Sequence, residues 1–299
     1  MALAVYTTIY PGVERYLRQW FRSLLSQQDQ EFQLWIGIDA VDRSAIEKLL
    51  GPELSAEWIV ARSGVTMAQL RDEALSCITK AFSEVVLVDS DDLLHPSRIS
   101  SARAALDYTE LAGCALRLVD QEGDDLGQTF DLTSDLEPDE VLPRNNIFGF
   151  SNSAFRSDLL RRCLPIPSHA VLVDWYLATR AWLFGAKMAF DHIPRMDYRQ
   201  HPSNTARVRS PFSNEQIVSD TALVQQHFKF FDTGPDENYV AHRYDKLRSV
   251  AAEIEEFRER VVHNPAKLRV YTESLNALAP APLWWSTVAY PPLDHLWKH

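Results

Sequence analysis

The sequence predicts an α/β fold, with a mostly parallel sheet flanked by helices and a helical extension after it. Short apolar segments alternate with segments of helical period over about the first hundred residues, which is typical of parallel strands joined by crossover helices. Apolar residues at steps of three and four from Val240 to Val261 predict a long amphipathic helix. With 299 residues, 46% hydrophobic and 24% charged, the chain can bury a large core.

Eight elements are predicted in the N-terminal third of the chain. Short apolar runs predict four strands, at Leu3–Ile9, Gln33–Ile38, Glu57–Ala61 and Glu84–Val88. Segments of helical period predict four helices, at Val13–Leu25, Arg43–Leu50, Thr66–Phe82 and from about Pro96 to Tyr108. Thr66 is suited to cap the third helix, and Pro96 suits the first turn of the fourth.

The pattern is looser after Cys114. Asp120–Gly127 predicts a turn between two strands, because its acids lack the spacing of a calcium-binding loop. Further on we expect a helix over Val171–Phe184, a strand over Ala186–Phe190 and an irregular polar segment over Arg195–Arg209. The chain then becomes helical from Glu215 and ends in a segment rich in Pro and Trp. We therefore expect two domains, residues 1–210 and 211–299.

Composition excludes several classes of function. The formal net charge of -11 makes nucleic acid a poor partner, since such binding depends on neutralising phosphates. Neither glycine-rich phosphate-binding motif is present among the 10 glycines. No run of about 18 apolar residues and no secretory leader occurs, and the three cysteines are isolated. We expect a cytoplasmic protein with reduced cysteines and no transmembrane segment.

Three carboxylates follow directly on the fourth predicted strand, in the sequence Asp89-Ser90-Asp91-Asp92. The carboxyl end of a strand is where ligands bind in open α/β sheets. Clustered carboxylates suit a hard divalent cation, which can also bridge phosphates. Ordinary turn acids, one of them capping the helix near Pro96, are the structural alternative.

Two further groups of residues could take part in chemistry. Asp174 lies at the start of the Val171–Phe184 helix, where the helix dipole also favours an acid. Residues 198–204 hold an imidazole (His201), a guanidinium (Arg199) and two amides, without apolar periodicity. The plainer interpretations are a first-turn helix acid and an exposed polar loop.

Taken together, these segments resemble glycosyltransferase family 2, the inverting enzymes of the GT-A fold. The resemblance covers roughly residues 3–205. Each motif is short, and it is their order and spacing along one chain that make the resemblance specific. They are Tyr10 after the first strand, Ile36-Gly37-Ile38-Asp39, Met67-Ala68-Gln69-Leu70-Arg71-Asp72, Asp89-Ser90-Asp91-Asp92, Asp174-Trp175 and Tyr198-Arg199-Gln200-His201.

The resemblance implies roles for nine residues. Six match positions that bind the sugar donor: Thr8 and Tyr10 at the nucleobase, Asp39 bonded to the base, Arg71 near the diphosphate, Asp89 near the ribose, and Ser90 beside it. An arginine near the diphosphate is sensible in an acidic chain without a glycine cradle. Asp91 and His201 match the ligands of Mn²⁺ or Mg²⁺, and Asp174 matches the general base.

The activity implied is a hexosyl or deoxyhexosyl transfer, with inversion, from a nucleoside diphosphate sugar to a hydroxyl of a glycan or other acceptor, as in polysaccharide biosynthesis. Two alternatives stay open. One is a catalytically silent GT-A domain that binds or scaffolds. The other is a nucleotidyltransferase, although residues 10–13 do not supply the glycine-rich first loop which that class normally has.

The helical extension must bury its apolar stripe. Packing on the catalytic domain is the first expectation, and a homodimer seam is the second. The third is docking at the inner face of the membrane through Trp284, Trp285 and Trp297, although the stripe's polar face is acidic as well as basic.

Overall fold

The structure is a computed structural model that describes residues 2–133, 136–232 and 234–298. In these residues nine strands form one sheet with helices packed on it. The strands are β1 Leu3–Ile9, β2 Phe32–Ile38, β3 Glu57–Val60, β4 Glu84–Leu87, β5 Leu93–Leu94, β6 Leu111–Val119, β7 Asp125–Phe130, β8 Ser153–Arg156 and β9 Met188–Arg199. Their order across the sheet is β3-β2-β1-β4-β8-β6-β9-β5, and β7 pairs with β6.

The four strands predicted from the N-terminal third form a parallel unit. Tyr6 in β1 pairs with Trp35 in β2 on one side and with Leu87 in β4 on the other. Every residue of β1 is buried, as expected of a central strand that is covered on both faces. The other half of the sheet is mixed, because β8 is antiparallel to both β4 and β6, while β6 and β9 are parallel.

Ten α-helices are present in the described part of the chain. They are α1 Leu17–Leu25, α2 Arg43–Leu50, α3 Met67–Ala81, α4 Arg98–Leu106, α5 Pro138–Val141, α6 Ser157–Cys163, α7 Val173–Leu183, α8 Asn214–Lys229, α9 Ala241–Phe257 and α10 Pro265–Leu278. Thr66 caps α3 as predicted: its hydroxyl accepts a hydrogen bond from the Gln69 N–H, and the Gln69 side chain accepts one from the Thr66 N–H.

The first helix begins at Leu17, four residues later than its apolar period predicts. Gly12 lies in the left-handed region, with φ of +100°, and its N–H donates to the Glu14 carboxylate. This turn redirects the chain, so that helix geometry starts only beyond it. Val13 and Tyr16 are nevertheless buried, and their apolar spacing therefore reports the core face and not the helix boundary.

Strand β9 is the main correction to the sequence analysis. A strand was expected to end at Phe190 and an irregular segment to start at Arg195, but one strand runs from Met188 to Arg199. It pairs with β6 along its length and with β5 near its end. Charged residues in this segment hide the polar–apolar alternation of a strand. In the structure their charges are neutralised by ion pairs, such as Arg195–Asp191 at 2.8 Å.

The C-terminal extension packs against the rest of the chain. The stripe residues Tyr244, Leu247, Ile254, Phe257 and Val261 are buried. They are covered by the neighbouring helices and the C-terminal tail, as when the Phe257 ring packs on Trp297 at 5.2 Å between ring centroids. Helix α9 also packs on residues 1–210, where the Arg243 guanidinium donates to the Trp182 carbonyl at 2.6 Å, in agreement with the first of the three arrangements expected.

The tail, residues 279–298, buries its tryptophans. Trp284, Trp285 and Trp297 are only 5%, 6% and 1% exposed, so they offer no aromatic surface for docking on a membrane. None of the described helices has the length and apolar character needed to cross a bilayer. The boundary expected near residue 210 lies in the coil before α8.

Candidate active site at the ends of β1 and β4

Residues 89–92, in the loop after β4, have different environments. Asp89 and Asp91 line a pocket at the carboxyl ends of the parallel strands. Ser90 is fully buried, and its hydroxyl donates to the Thr8 carbonyl at 2.8 Å, which ties this segment to β1. Its side chain therefore points away from the pocket, although the sequence placed it with the donor-binding residues.

Asp92 also turns away from the pocket. One carboxylate oxygen accepts from the Arg199 N–H at 2.8 Å, and the other accepts a short hydrogen bond from the Ser151 hydroxyl. Burial raises the pKa of Asp92 well above its usual value, and the charges of Asp91 and Asp89 raise it further. Of the three clustered carboxylates, two face the pocket and one joins elements in the interior.

Arg71 brings a positive charge to the pocket. It lies in the second turn of α3, and its guanidinium is 3.3 Å from Asp89 and 3.4 Å from the Thr8 hydroxyl. The Phe150 ring lies 4.0 Å beneath it. Burial raises the pKa of Asp89 to about 7 although Arg71 opposes the shift, and the nearby charges of Asp91 and Asp174 add to the rise.

His201 contacts Asp91 directly. Its Nε2 is 3.0 Å from Asp91 Oδ2, and its Nδ1 is 2.9 Å from the Ser203 hydroxyl. The ring stacks on Tyr16 at 5.3 Å, and the His201 N–H donates to the Asn204 side chain. The imidazole is thus held in one orientation, with Nε2 directed at the carboxylate.

The Asp91–His201 separation is that of a hydrogen bond, and it also equals the spacing of neighbouring ligands around a divalent cation. Ligands about 2.1 Å from an ion in octahedral coordination lie roughly 3 Å from their neighbours in the shell, and the observed separation is 3.0 Å. Within the described ranges, no group of three or more His, Cys, Asp or Glu side chains is arranged to hold a metal. An ion here would have two protein ligands, with the remaining positions left for phosphate oxygens and water.

Asp174 lines the same pocket from another direction. It lies in the first turn of α7, and the Asn146 amide donates to its Oδ2 at 3.0 Å. Asn146 is itself buried, and its oxygen accepts from the Phe148 N–H, which fixes the amide. Burial raises the pKa of Asp174, while backbone N–H groups at the helix start and the charge of Arg71 lower it in part.

Six of the nine predicted site residues line this one pocket, and three lie behind or beside it. Tyr10 joins Arg71, Asp89, Asp91, Asp174 and His201 in the lining. Thr8 is buried and supports Arg71, and Ser90 anchors the loop. Asp39 follows β2, where its N–H donates to the Ile9 carbonyl at 3.0 Å and its side chain is half-buried, outside the pocket lining.

The Arg199 side chain is fully buried, although the sequence placed it in a polar loop. It donates at 2.8 Å to the carbonyls of Asp91 and Gln121 and to the Gln19 side chain. The Tyr16 ring packs on it at 4.6 Å. Arg199 therefore connects the loop of residues 89–92, the β6–β7 turn and α1, which makes it a supporting residue of the site.

Two tryptophans from the tail complete the pocket, which the sequence analysis did not foresee. Trp284 packs so closely on Gly149 that an added Cβ would lie 2.3 Å from the ring. Its indole N–H donates to the Tyr198 hydroxyl at 3.3 Å. Trp285 lies beside it in the lining. No local pattern signals this role, because more than a hundred residues separate these side chains from Asp174.

Comparison with known proteins identifies the fold. No model of a protein family matches the sequence, and no curated protein sequence matches it. The structure of S. aureus TarS 1-349 superposes with a TM-score of 0.60 at 16% identity, over 93% of this chain and 79% of that chain. The structure of its complex with UDP superposes with a TM-score of 0.58 at 16% identity, over 86% of this chain and 72% of that chain.

The mannosyltransferase PcManGT from Pyrobaculum calidifontis, in complex with GDP-Man and Mn²⁺, gives a TM-score of 0.54 at 15% identity, over 94% of this chain and 81% of that chain. At such identities the similarity establishes the fold alone. The chain has a mixed α/β fold of the GT-A type, and its structural neighbours are glycosyltransferases.

Proposed function

We propose that this chain is an inverting glycosyltransferase that uses a nucleoside diphosphate sugar and a divalent cation. One observation carries the proposal: five side chains from four separate stretches of sequence meet in one pocket at the carboxyl ends of parallel strands, namely Arg71, Asp89, Asp91, Asp174 and His201. The nucleotide sugars in the UDP-GlcNAc and GDP-Man complexes of the structural neighbours agree with this choice of substrate class.

The charges of the pocket support a metal-dependent diphosphate site. Three carboxylates line it, whereas Arg71 is the only arginine or lysine among the described lining residues. A diphosphate would meet net negative charge unless a divalent cation came with it. We assign Mn²⁺ or Mg²⁺ to Asp91 and His201, where the ion would supply counter-charge to the departing diphosphate.

The nucleoside is assigned to the adjacent strand ends. Tyr10 continues from β1 and lines the pocket, and Asp39 continues from β2, the parallel neighbour of β1. Asp89 follows β4, the other parallel neighbour of β1, and the Arg71 guanidinium lies 3.3 Å from it. A donor laid along this edge would have its base near Tyr10 and Asp39, its ribose near Asp89 and its diphosphate near Arg71.

Asp174 is assigned as the general base. The Asn146 amide orients the carboxylate, which lines the pocket and can there accept the proton of an acceptor hydroxyl. As that proton leaves, the acceptor oxygen bonds to the anomeric carbon, and the bond from that carbon to the diphosphate oxygen breaks with its electron pair. A single displacement of this kind inverts the anomeric configuration. Burial, by raising the pKa of Asp174, makes it a stronger base than an exposed aspartate.

The test is release of nucleoside diphosphate from a panel of UDP- and GDP-sugars, measured with Mn²⁺, with Mg²⁺ and in EDTA. We expect cation-dependent release from at least one donor, and an inverted anomeric configuration of the product by NMR. Asp174→Asn should lower the transfer rate by about 10²–10⁴-fold.

Asp158→Asn is the matched control, since Asp158 is also a first-turn acid, on α6, and its side chain is 92% exposed. Tight binding of a sugar donor without any cleavage would favour the silent domain, and synthesis of a nucleotide sugar from a sugar phosphate and a nucleoside triphosphate would favour the nucleotidyltransferase. Either result would overturn the proposal.

A further inference from the structure

We propose that a second cavity of this protein binds a small organic monocarboxylate, whose charged group is held by Arg98 and Arg195. The cavity lies between α4 and the strands β6 and β9, and its volume of about 620 Å³ is within the usual range of small-molecule sites. None of its described lining residues lines the candidate active site. A ligand bound here is therefore independent of the proposed function.

Arg98 lines this cavity with a charge that lacks a counter-ion. It is the first residue of α4 and is only 2% exposed. Its Nη2 donates to the Ser153 carbonyl at 3.0 Å, whereas its Nε and Nη1 donate to none of the described residues, and it forms no ion pair with any of them. Burial lowers the pKa of Arg98, but a guanidinium stays charged in proteins. Because a buried, unpaired charge is costly, an anion is expected beside it.

Arg199 shows how the same chain satisfies a buried arginine elsewhere. It is fully buried, and it donates at 2.8 Å to two backbone carbonyls and to the Gln19 side chain. Each of these bonds offsets part of the cost of removing the charge from water. Arg98 has one such bond among the described residues, so its other donors can serve a ligand in the cavity.

The lining of the cavity carries net positive charge. Arg195 also lines it, and its side chain is 18% exposed. Asp191 is the only acid among the described lining residues, and it already accepts from Arg195 Nε at 2.8 Å and from the Ser101 hydroxyl at 3.0 Å. With His192 neutral, two arginines and one aspartate leave a charge of +1, in a chain whose formal net charge is -11. A ligand with one negative charge would balance this lining.

The start of α4 adds to the attraction for an anion. Ser97, Arg98, Ser100 and Ser101 line the cavity, and the helix dipole places partial positive charge at this end of the helix. Guanidinium donors form charge-assisted hydrogen bonds with a carboxylate or a phosphate. A carboxylate carries the single negative charge that balances the lining, whereas a phosphate monoester carries nearly two at neutral pH. The charge therefore favours a carboxylate.

The rest of the cavity suits an apolar group on the same ligand. Small and apolar side chains from the helix and from both strands line it: Ala102, Ala105, Ala112, Ala189 and Phe190. Because most of these side chains are single methyl groups, they leave space between α4 and the sheet. The cavity opens beside Tyr108, which is 60% exposed. A carboxylate with a short hydrocarbon or aromatic body would gain from burial of that body as well as from the arginines.

The experiment titrates the full chain, without a sugar donor, with acetate, hexanoate and benzoate, and follows binding by NMR. 1-Hexanol is the uncharged counterpart of hexanoate, and hexyl phosphate is its phosphorylated counterpart. We expect saturable binding of hexanoate with a dissociation constant of about 1 mM or lower, and at least about tenfold weaker binding of the other two hexyl compounds. If none of the three carboxylates shows saturable binding, or if hexyl phosphate binds more tightly than hexanoate, the proposal is overturned.

Variants of the lining locate the bound carboxylate. Arg98→Met removes the charge, and we expect it to weaken hexanoate binding at least about tenfold without lowering the urea midpoint, because no described counter-ion is left unpaired. Ala105→Phe fills the apolar part of the cavity, and it should weaken hexanoate by about tenfold while acetate binds as before. Arg62→Met, whose arginine side chain is 81% exposed, is the control and should leave hexanoate affinity unchanged.

A competition measurement separates this cavity from the candidate active site. Addition of UDP with Mn²⁺ should change the dissociation constant of hexanoate by less than about twofold, since the two sites share no described lining residue. Displacement of hexanoate by UDP would place the carboxylate in the candidate active site and overturn the proposal. Equal hexanoate affinity of the parent protein and Arg98→Met would overturn it too, and so would a urea midpoint lowered as much by Arg98→Met as by Arg199→Met, since Arg98 would then be a structural residue.

Discussion

His201 Nε2 lies 3.0 Å from Asp91 Oδ2, although 110 residues separate them in the chain. The two-residue strand β5 accounts for this contact. Leu93 pairs with Asp197 in the antiparallel β5–β9 ladder, so the chain just before β5 is brought beside the chain just after β9. The buried Arg199 strengthens the junction by donating to the Asp91 carbonyl. A short strand pair thus holds both proposed metal ligands in register.

Asp91→Asn should weaken binding of the sugar donor and abolish turnover, because the diphosphate would lose the cation that offsets its charge. His201→Ala should show the same defects in milder form, since the carboxylate and water can still hold the ion. Calorimetry of UDP and GDP with Mn²⁺ and in EDTA measures the effect. Asp125→Asn, an exposed acid of β7, is the control. Undiminished nucleotide affinity in EDTA would contradict the assignment.

Asp174→Asn should lower the transfer rate by about 10²–10⁴-fold, the usual contribution of a positioned base, with donor affinity and metal dependence nearly intact. If Asp174 were only a first-turn helix acid, its replacement would instead cost roughly 0.3–1 kcal/mol of stability and would leave the activity unchanged. Transfer rate, donor affinity and melting temperature, measured together with Asp158→Asn, distinguish the two roles. Transfer at the parental rate by Asp174→Asn would remove the base from the mechanism.

The pH profile gives a second check on Asp174. The base acts when deprotonated, so kcat should fall as the pH is lowered through its pKa. Burial raises that pKa above the ordinary 3.8, and the acid limb should therefore lie at a higher pH than for an exposed aspartate. The residual activity of Asp174→Asn should lack this limb.

Arg199→Met should destabilise the protein by about 3 kcal/mol, because it leaves buried carbonyls of Asp91 and Gln121 without their donor. Urea unfolding measures the loss. Arg62→Met removes a guanidinium whose side chain is 81% exposed, and it should change stability by less than about 0.5 kcal/mol. Equal effects of the two variants would show that the Arg199 contacts carry no stability.

Asp220 should make stability depend on pH, because burial raises its pKa to about 6 from 3.8. The folded state then binds the proton more tightly than the unfolded state. The stability that protonated Asp220 contributes is fully present below about pH 4 and is lost as the pH rises through about 6. The free energy of unfolding changes by at most about 3 kcal/mol. Asp220→Asn should therefore gain stability relative to the parent between pH 4 and 7.

Urea unfolding over this pH range follows the difference between the two proteins. Asp245→Asn, an exposed acid on α9, controls for the loss of one carboxylate. A constant difference between Asp220→Asn and the parent from pH 4 to 7 would contradict the burial of a titrating Asp220.

Local sequence was sufficient for most elements of the N-terminal third and for the strand edge at which several candidate site residues meet. Strand β1 and helix α2 have the bounds that were expected, and the cap at Thr66 forms as its sequence indicates. These features depend on contacts within a few residues, where periodicity and capping act. Six of nine expected site residues share a pocket because parallel strands end at one edge, a rule that needs no knowledge of the whole fold.

Other features depend on partners that are far away in the chain. The orientation of Ser90 and Asp92 is set by β1, Ser151 and Arg199, none of which is visible in the motif itself. The full length of β9 was hidden by charged side chains whose ion pairs the sequence does not show, Arg195–Asp191 within the strand and Asp197–Arg117 with β6.

The sequence by itself therefore determined the α/β class and the strand ends that carry the carboxylates. The tertiary structure decided which carboxylates face the pocket, and it placed Trp284 and Trp285 beside Asp174. The physical reason is one of range. Periodicity and capping are local, whereas the position of the tail follows from burial of its tryptophans against surfaces that exist only after the sheet and α7 have assembled.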